Sequence, residues 1–322
     1  MFAVTASQFD ADNPLTGLTL GERPDPVAPE GWTTVTVKAT ALNHHDLWSL
    51  KGVGLRAEQL PIILGCDAAG VDEDGNEVIV HSVIGDPDRG GGDETLDPKR
   101  SLLSESHDGT FAEKVAVPRR NIVPKPAELS FEEAACLPTA WLTAYRMLFD
   151  KAGLAPGSTV LVQGAGGGVA TALIALGAAA GFRVWVTSRS EGKRKRALEL
   201  GADEAFEPGA RLPERVDAVM ETVGEATWSH SLKSLRPGGR IVVSGATSGQ
   251  VPPAELSRVF FLQLSVVGST MGTRDQLERL ARFLVKSGVR PRIDRVLPLA
   301  RANEGFAAMA EGELFGKIVF TP

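Results

Sequence analysis

The residues best placed to do chemistry lie in one stretch, Ser158 to Lys193: STVLVQGAGGGVATALIALGAAAGFRVWVTSRSEGK. Thr159 to Val162 is short, β-branched and apolar, the pattern of a strand buried on both faces. Gly164, Gly166, Gly167 and Gly168 follow; they allow a tight turn and let backbone come close to a ligand. Val169 to Ala180 reads as a helix packed on a sheet, Gly181 stops it, and Arg183 to Thr187 is the next strand. A helix N-terminus carries unpaired N–H groups and a partial positive charge, so this turn suits the pyrophosphate of a dinucleotide. In the register Ala165-x-Gly167-x-x-Ala170, alanine stands at the first and third glycine positions. It is tolerated at the third, where the need is close helix–strand packing.

The end of the second strand selects the cofactor. An acidic residue about 20 positions beyond the glycines would bind a ribose 2′-hydroxyl. Ser188 holds that place, and Arg189, Lys193, Arg194, Lys195 and Arg196 follow. A carboxylate there would repel a 2′-phosphate, whereas Ser, Arg and Lys would bind it. NADPH is therefore expected, held by Ser188, Arg189 and Lys193.

The elements that position this stretch fill a chain of 322 residues, long enough for two domains. Apolar content of 43% and charged content of 23% are ordinary for a globular enzyme. A net charge of −6 argues against nucleic acid as the main partner. No apolar run approaches the roughly 18 residues of a membrane span, and the N-terminus lacks the pattern of a secretory signal. Cys66 and Cys136 give no disulfide framework, so a cytoplasmic protein is expected.

Residues 1 to about 120 read as all-β. Trp32 to Ala39 alternates as a half-buried strand, and Ala41 to Lys51 is a loop entering a short helical turn. Pro61 to Val71 is an apolar strand broken by Gly65 and Gly70. Gly85 to Gly109 is polar and glycine-rich, and reads as a loose surface lobe. Ser130 and Glu133 form a capping box, with Pro138 separating two helices. From residue 158 strand and helix alternate, as a doubly wound parallel sheet requires. Phe260–Gly268 reads as an apolar strand, Arg274–Ser287 as an amphipathic helix and Lys317–Phe320 as a last strand.

An all-β first part, a dinucleotide fold and a returning tail resemble the medium-chain dehydrogenase/reductase superfamily. The motifs are GCDAAG (65–70), GTFAEKVAVP (109–118), LPTAWLTAY (137–145), LELGAD (198–203), LRPGGRIVVSG (235–245) and FGKIVF (315–320). Within it the chain looks most like the zinc-independent quinone oxidoreductase branch, which includes enoyl reductases. The resemblance implies an α/β fold class: a GroES-like catalytic domain at 1–125, completed by 268–322, and a Rossmann domain at 126–267, with the active site in the cleft between them. It also implies a homodimer paired through the Phe260–Gly268 edge strand.

The catalytic-zinc positions of the superfamily fall here on Asn43, Cys66 and Thr139, a poor zinc set, since zinc prefers three N, S or carboxylate ligands plus water. Without a metal, the easier chemistry is hydride transfer from NADPH to a quinone or an α,β-unsaturated carbonyl, with a donor for the developing enolate. The resemblance offers Asn43, His44 and His45 as that donor. It places Asn43 and Thr143 near the nicotinamide, Gly166, Gly167, Gly168 and Val169 at the pyrophosphate, and Gly245, Ala246 and Thr247 by the ribose. Lys317 would close over the cofactor. A zinc-type alcohol dehydrogenase with altered ligands and a non-catalytic NADPH-binding sensor stay open as alternatives.

Overall fold

The computed structural model describes residues 1–322. The chain divides into two compact units, Met1–Leu142 with Met271–Pro322, and Thr143–Thr270. Residues 126–142, expected with the nucleotide domain, thus fall in the first unit. No helix is long and apolar enough to cross a membrane.

The first unit is built on a seven-stranded sheet. Its order runs Ile122–Pro124, Glu77–Val80, Asp67–Val71, Trp32–Ala41, Lys317–Thr321 and Ile293–Pro298, with Lys114–Pro118 also paired to Trp32–Ala41. The C-terminal strand therefore inserts beside a strand from the start of the chain, Val319 facing Ala41. Alternation explains why Trp32–Ala41 belongs here: Thr33, Val35, Val37 and Ala39 are buried. Phe111, Phe306 and Phe320 pack at the centre of the main core, Phe111 meeting Phe320 edge-on at 5.4 Å.

Gly70 does not break a strand: it lies within Asp67–Val71, and only Gly65 makes the break after Ile62–Ile63. The 85–109 lobe is not a loose loop either. Asp97, fully buried, accepts from Arg89 Nε at 3.1 Å and Nη2 at 2.7 Å, and from the N–H groups of Asp86 and Lys99 at 2.8 and 2.9 Å. One carboxylate thereby gathers four donors and fixes the lobe from inside.

The second unit is a six-stranded parallel sheet in the order Glu204–Phe206, Arg183–Thr187, Thr159–Val162, Val216–Glu221, Leu235–Val243 and Ser265–Gly268. Counted in chain order this is 3-2-1-4-5-6, the Rossmann arrangement, whose order reverses between Thr159–Val162 and Val216–Glu221. Pro237-Gly238-Gly239 is a bulge inside one strand: Leu235 faces Val216, and the next paired residue, Arg240, faces Ala218.

Two elements differ from expectation. Phe260 and Phe261 end a helix, Leu256–Phe261, so the edge strand is only Ser265–Gly268. Pro138 lies between two helices, Phe131–Ala135 and Leu142–Arg146, as expected, but the link is itself a π-helical turn, Leu137–Trp141. The Ser130–Glu133 capping box is present.

Candidate active site

In the first unit, Asn43 to Leu50 turns from strand into helix, and Asp46 governs the turn. Its carboxylate accepts the Asn43 N–H at 2.8 Å and the Gly65 N–H at 3.0 Å. It thus caps its own helix and ties it to the next loop. Gly65 has φ +96°, and a Cβ there would stand 2.5 Å from the Phe111 ring. Only glycine lets the chain pass and set Cys66 and Asp67 beside the helix. Burial, first, raises the Asp46 pKa to about 6, against the pull of the His45 charge.

His45 links three segments. Its Nε2 lies 2.8 Å from Glu105 Oε1, and its Nδ1 lies 3.4 Å from Cys66 Sγ. A carboxylate only accepts, so Nε2 carries a proton. Burial works against charge on the ring, but Cys66, Glu105 and Asp46 outweigh it and hold the His45 pKa well above the usual imidazole value. Burial, first, raises the Cys66 pKa against the pull of His45, and its Sγ donates to Leu103 O at 3.4 Å. With side chains about a quarter exposed, the His45–Glu105 pair stands at the edge of solvent.

Beneath it lies a sealed polar knot. Lys317 Nζ donates to Leu42 O at 2.8 Å, Asn43 Oδ1 at 2.6 Å and Asp67 Oδ2 at 3.1 Å. Asn43 Nδ2 donates to Asp67 Oδ2 at 2.8 Å and Ala41 O at 3.2 Å.

The second unit carries a phosphate-type turn. Gly164 has φ +86° and gives its N–H to Thr187 Oγ1 at 3.3 Å. The helix Gly168–Ala179 begins after Gly167 with no side-chain cap, and nothing lies within 4 Å of where a Gly167 Cβ would be. Uncapped N–H groups facing open space fit a bound pyrophosphate. At the neighbouring strand end Ser188 is half-buried and Arg189 exposed, while Lys193 lies in the first turn of Glu191–Glu199. Gly245, Ala246 and Thr247 follow the fifth strand, and Thr247 N donates to Thr222 O at 3.4 Å. Thr143 is buried in Leu142–Arg146.

Residues 29–127 match the alcohol dehydrogenase GroES-like domain family, and residues 168–286 match the zinc-binding dehydrogenase family. An acryloyl-coenzyme A reductase of Sulfurisphaera tokodaii is 30% identical, over 96% of this chain and 98% of its own. The chain belongs to the medium-chain dehydrogenase/reductase superfamily. An alcohol dehydrogenase of Geobacillus stearothermophilus is 29% identical over 90% of this chain and 91% of its own. A solved structure described as an NAD-dependent alcohol dehydrogenase is 36% identical, with a TM-score of 0.91 over the whole of both chains.

As a member of this superfamily the protein is an oxidoreductase, and the site corrects several expectations. Asn43 cannot serve an enolate or a nicotinamide: both its N–H groups and its carbonyl oxygen are engaged within the protein. Lys317 does not close over a cofactor, since its three N–H groups are spent and it is 2% exposed. The His44 ring is exposed and makes no hydrogen bond within the protein, whereas the His45 ring is held between Glu105 and Cys66. Glu105 was missed by sequence reading, and Arg194 was named in the basic cluster but not picked for the cofactor. Arg194 Nη1 donates to Ser188 O at 2.6 Å, so a third basic side chain lies at the cofactor-selecting strand end.

The superfamily's catalytic zinc does not fit these residues. Asn43 Oδ1 faces the Lys317 ammonium at 2.6 Å, a fixed positive charge where a cation would bind. A second group, His45, Asp46 and Cys66, brings its ligand atoms within 4.8 Å of one another. Yet both Asp46 oxygens already hold backbone N–H groups, and His45 is turned to Glu105. The ligand types would suit zinc, but a carboxylate committed to backbone and an imidazole held by Glu105 are not free to bind it.

Proposed function

We propose that the protein is an NADPH-dependent, zinc-independent reductase of α,β-unsaturated carbonyl compounds or quinones. The observation that carries this reading is the Lys317 ammonium, held 2.6 Å from Asn43 Oδ1 at a position where metal-dependent relatives would need a zinc ligand. When bound, the reduced nicotinamide supplies a hydride. The chain's own residues do the rest. Gly164, Gly166, Gly167, Gly168 and Val169 receive the pyrophosphate through backbone N–H groups. Ser188, Arg189, Lys193 and Arg194 favour a 2′-phosphate, and Ser188 rather than a carboxylate stands at the ribose-binding position. Gly245, Ala246, Thr247 and Thr143 border the nicotinamide end. The oxygen on which negative charge develops needs a hydrogen-bond donor, and the proton comes from a side chain or from water. Hydride at the β-carbon and a proton at the α-carbon together saturate the double bond.

The name of the S. tokodaii relative, an acryloyl-coenzyme A reductase, supports an unsaturated acyl acceptor. The test is turnover of NADPH and NADH, side by side, against quinones, enals and enoyl thioesters. Preference for NADPH with an unsaturated carbonyl is expected; turnover of simple alcohols with added zinc alone would overturn the reading.

The protein is further proposed to pair as a homodimer at the Ser265–Gly268 edge. Val266 is 50% exposed there, and Phe260 and Phe261 are 62% and 76% exposed on the adjoining helix. An unpaired edge beside exposed aromatic rings needs cover. A monomer by light scattering at micromolar concentration would exclude it.

A further inference from the structure

In the second unit one buried amide sits where the glycine turn begins. Gln163 follows the strand Thr159–Val162, precedes Gly164 and is 0% exposed. A buried amide must find partners for one acceptor and two donors. Gln163 finds them on two other elements, the end of Arg183–Thr187 and the helix Glu225–Ser234. Its Oε1 accepts from Thr187 Oγ1 at 2.7 Å, and its Nε2 donates to His230 Nδ1 and to Ser231 Oγ, both at 3.0 Å. His230 Nε2 lies 2.9 Å from Ala210 O. A carbonyl oxygen accepts, so Nε2 carries the proton and Nδ1 is left to receive the amide.

The direction of the bonds is fixed at both ends. At one end the Gly164 N–H donates to Thr187 Oγ1 at 3.3 Å, and that hydroxyl donates in turn to Gln163. At the other, Ser231 Oγ donates to Glu221 Oε2 at 2.6 Å. A backbone N–H gives and a carboxylate receives, so every bond between them points one way and supports the next. Glu221, itself 0% exposed, also accepts from Thr227 Oγ1 at 2.9 Å and from the N–H groups of Val223 and Gly224 at 2.8 and 3.0 Å. It thereby shapes a second loop. Gly224 has φ +91°, and a Cβ there would stand 2.4 Å from Gly249 O. Val223 O holds the Ser248 N–H at 2.7 Å. The line of bonds thus runs from the glycine turn to the loops after the fourth and fifth strands, across the point where strand order reverses.

We propose that Gln163 is a positioning residue for the dinucleotide. Through Thr187 it fixes the first amide of the glycine turn, and through Ser231 and Glu221 it locks that turn to the loops assigned to the nicotinamide end. This rests on the dinucleotide reading of the turn, but on neither the acceptor nor the choice between NADPH and NADH. Gln163 is sealed from solvent, so it acts through the turn and not by touching the cofactor.

The experiment is isothermal titration of the full-length protein with NADPH, NADH and 2′-AMP. Gln163→Met keeps the length and burial of the side chain and loses the amide. It should weaken NADPH and NADH by the same factor, about tenfold, the scale of buried hydrogen bonds left unmade. 2′-AMP carries no pyrophosphate, and its affinity should stay as in wild type. Thr187→Val breaks the line at the next hydroxyl, keeps the shape of the strand and should act the same way, which serves if Gln163→Met folds poorly. Thr187→Ser should restore most of the affinity. An equal loss for all three ligands, the mark of a merely structural role, would overturn the proposal. So would unchanged binding of both dinucleotides by the folded variants. Wild-type protein that binds neither NADPH nor NADH would overturn the dinucleotide reading, and this proposal with it.

Discussion

Lys317 and Asp67 form an ion pair sealed inside the first unit, Nζ to Oδ2 at 3.1 Å, with side chains 2% and 0% exposed. Every proton of the ammonium is used, on Leu42 O, Asn43 Oδ1 and Asp67 Oδ2. Removing one partner would strand the other charge without water. Lys317→Met should therefore cost about 3–5 kcal/mol in urea unfolding. Combining it with Asp67→Asn should cost less than the sum of the two single changes, by about 1 kcal/mol or more. Additive losses would mean that the pair does not interact as described.

Asp46 yields a prediction about pH. Burial, chiefly, raises its carboxyl to about 6 from an ordinary value of 3.8. Between those values the folded protein keeps a proton that the unfolded chain releases. Its contribution to stability is thus fully present at the acid end and lost as pH rises through about 6. Asp46→Asn does not titrate, so relative to wild type it should gain up to roughly 3 kcal/mol between pH 4 and 7, on top of a constant loss from its altered cap. Urea unfolding of both proteins at four pH values measures the difference. A constant difference would show that Asp46 ionises at its ordinary pKa in the fold.

How far these features can be read from sequence depends on whether their cause is local. Thr159–Val162, Arg183–Thr187 and Arg274–Ser287 are legible to the residue because period and boundary glycines or caps agree. Phe260–Gly268 misleads because a short apolar run fits helix and strand equally, and packing makes Phe260 and Phe261 helical. Lys317 carries a usable sign: it begins a strand whose next residues, Ile318 to Phe320, are all buried. Glu105 carries none. It meets His45 across 60 residues, from a polar stretch whose order comes from Asp97 and from a strained Ser104. Likewise Arg194 differs from its basic neighbours only by where its helix turns it.

The choice of dinucleotide has its own test. Arg189 is exposed at the end of the second strand, and Arg194 is anchored on Ser188 O. Arg189→Asp should weaken NADPH by about 1–3 kcal/mol, the scale of a charged hydrogen bond, and leave NADH nearly unchanged. Isothermal titration with each dinucleotide reads both numbers. Equal losses for the two would place Arg189 away from the 2′-phosphate.

The lobe that carries Glu105 should owe its order to Asp97 rather than to a metal. The Arg89 guanidinium, first, and the backbone N–H of Asp86 hold the Asp97 carboxyl well below the usual carboxylate range. A depressed carboxyl stabilises the fold above its unfolded pKa, near 4, and that contribution disappears as pH falls through the lower folded value. Near neutral pH the carboxylate is intact, and Asp97→Asn removes its charge without changing its shape. Amide hydrogen exchange over residues 86–104 should then quicken by about tenfold or more, since four donors lose an ionised acceptor. Exchange in the parallel sheet around Thr159–Val162 should stay as in wild type. Chelators should leave both regions unchanged, and lobe exchange that quickens with a chelator but not with Asp97→Asn would show that a bound metal, not this carboxylate, holds the lobe.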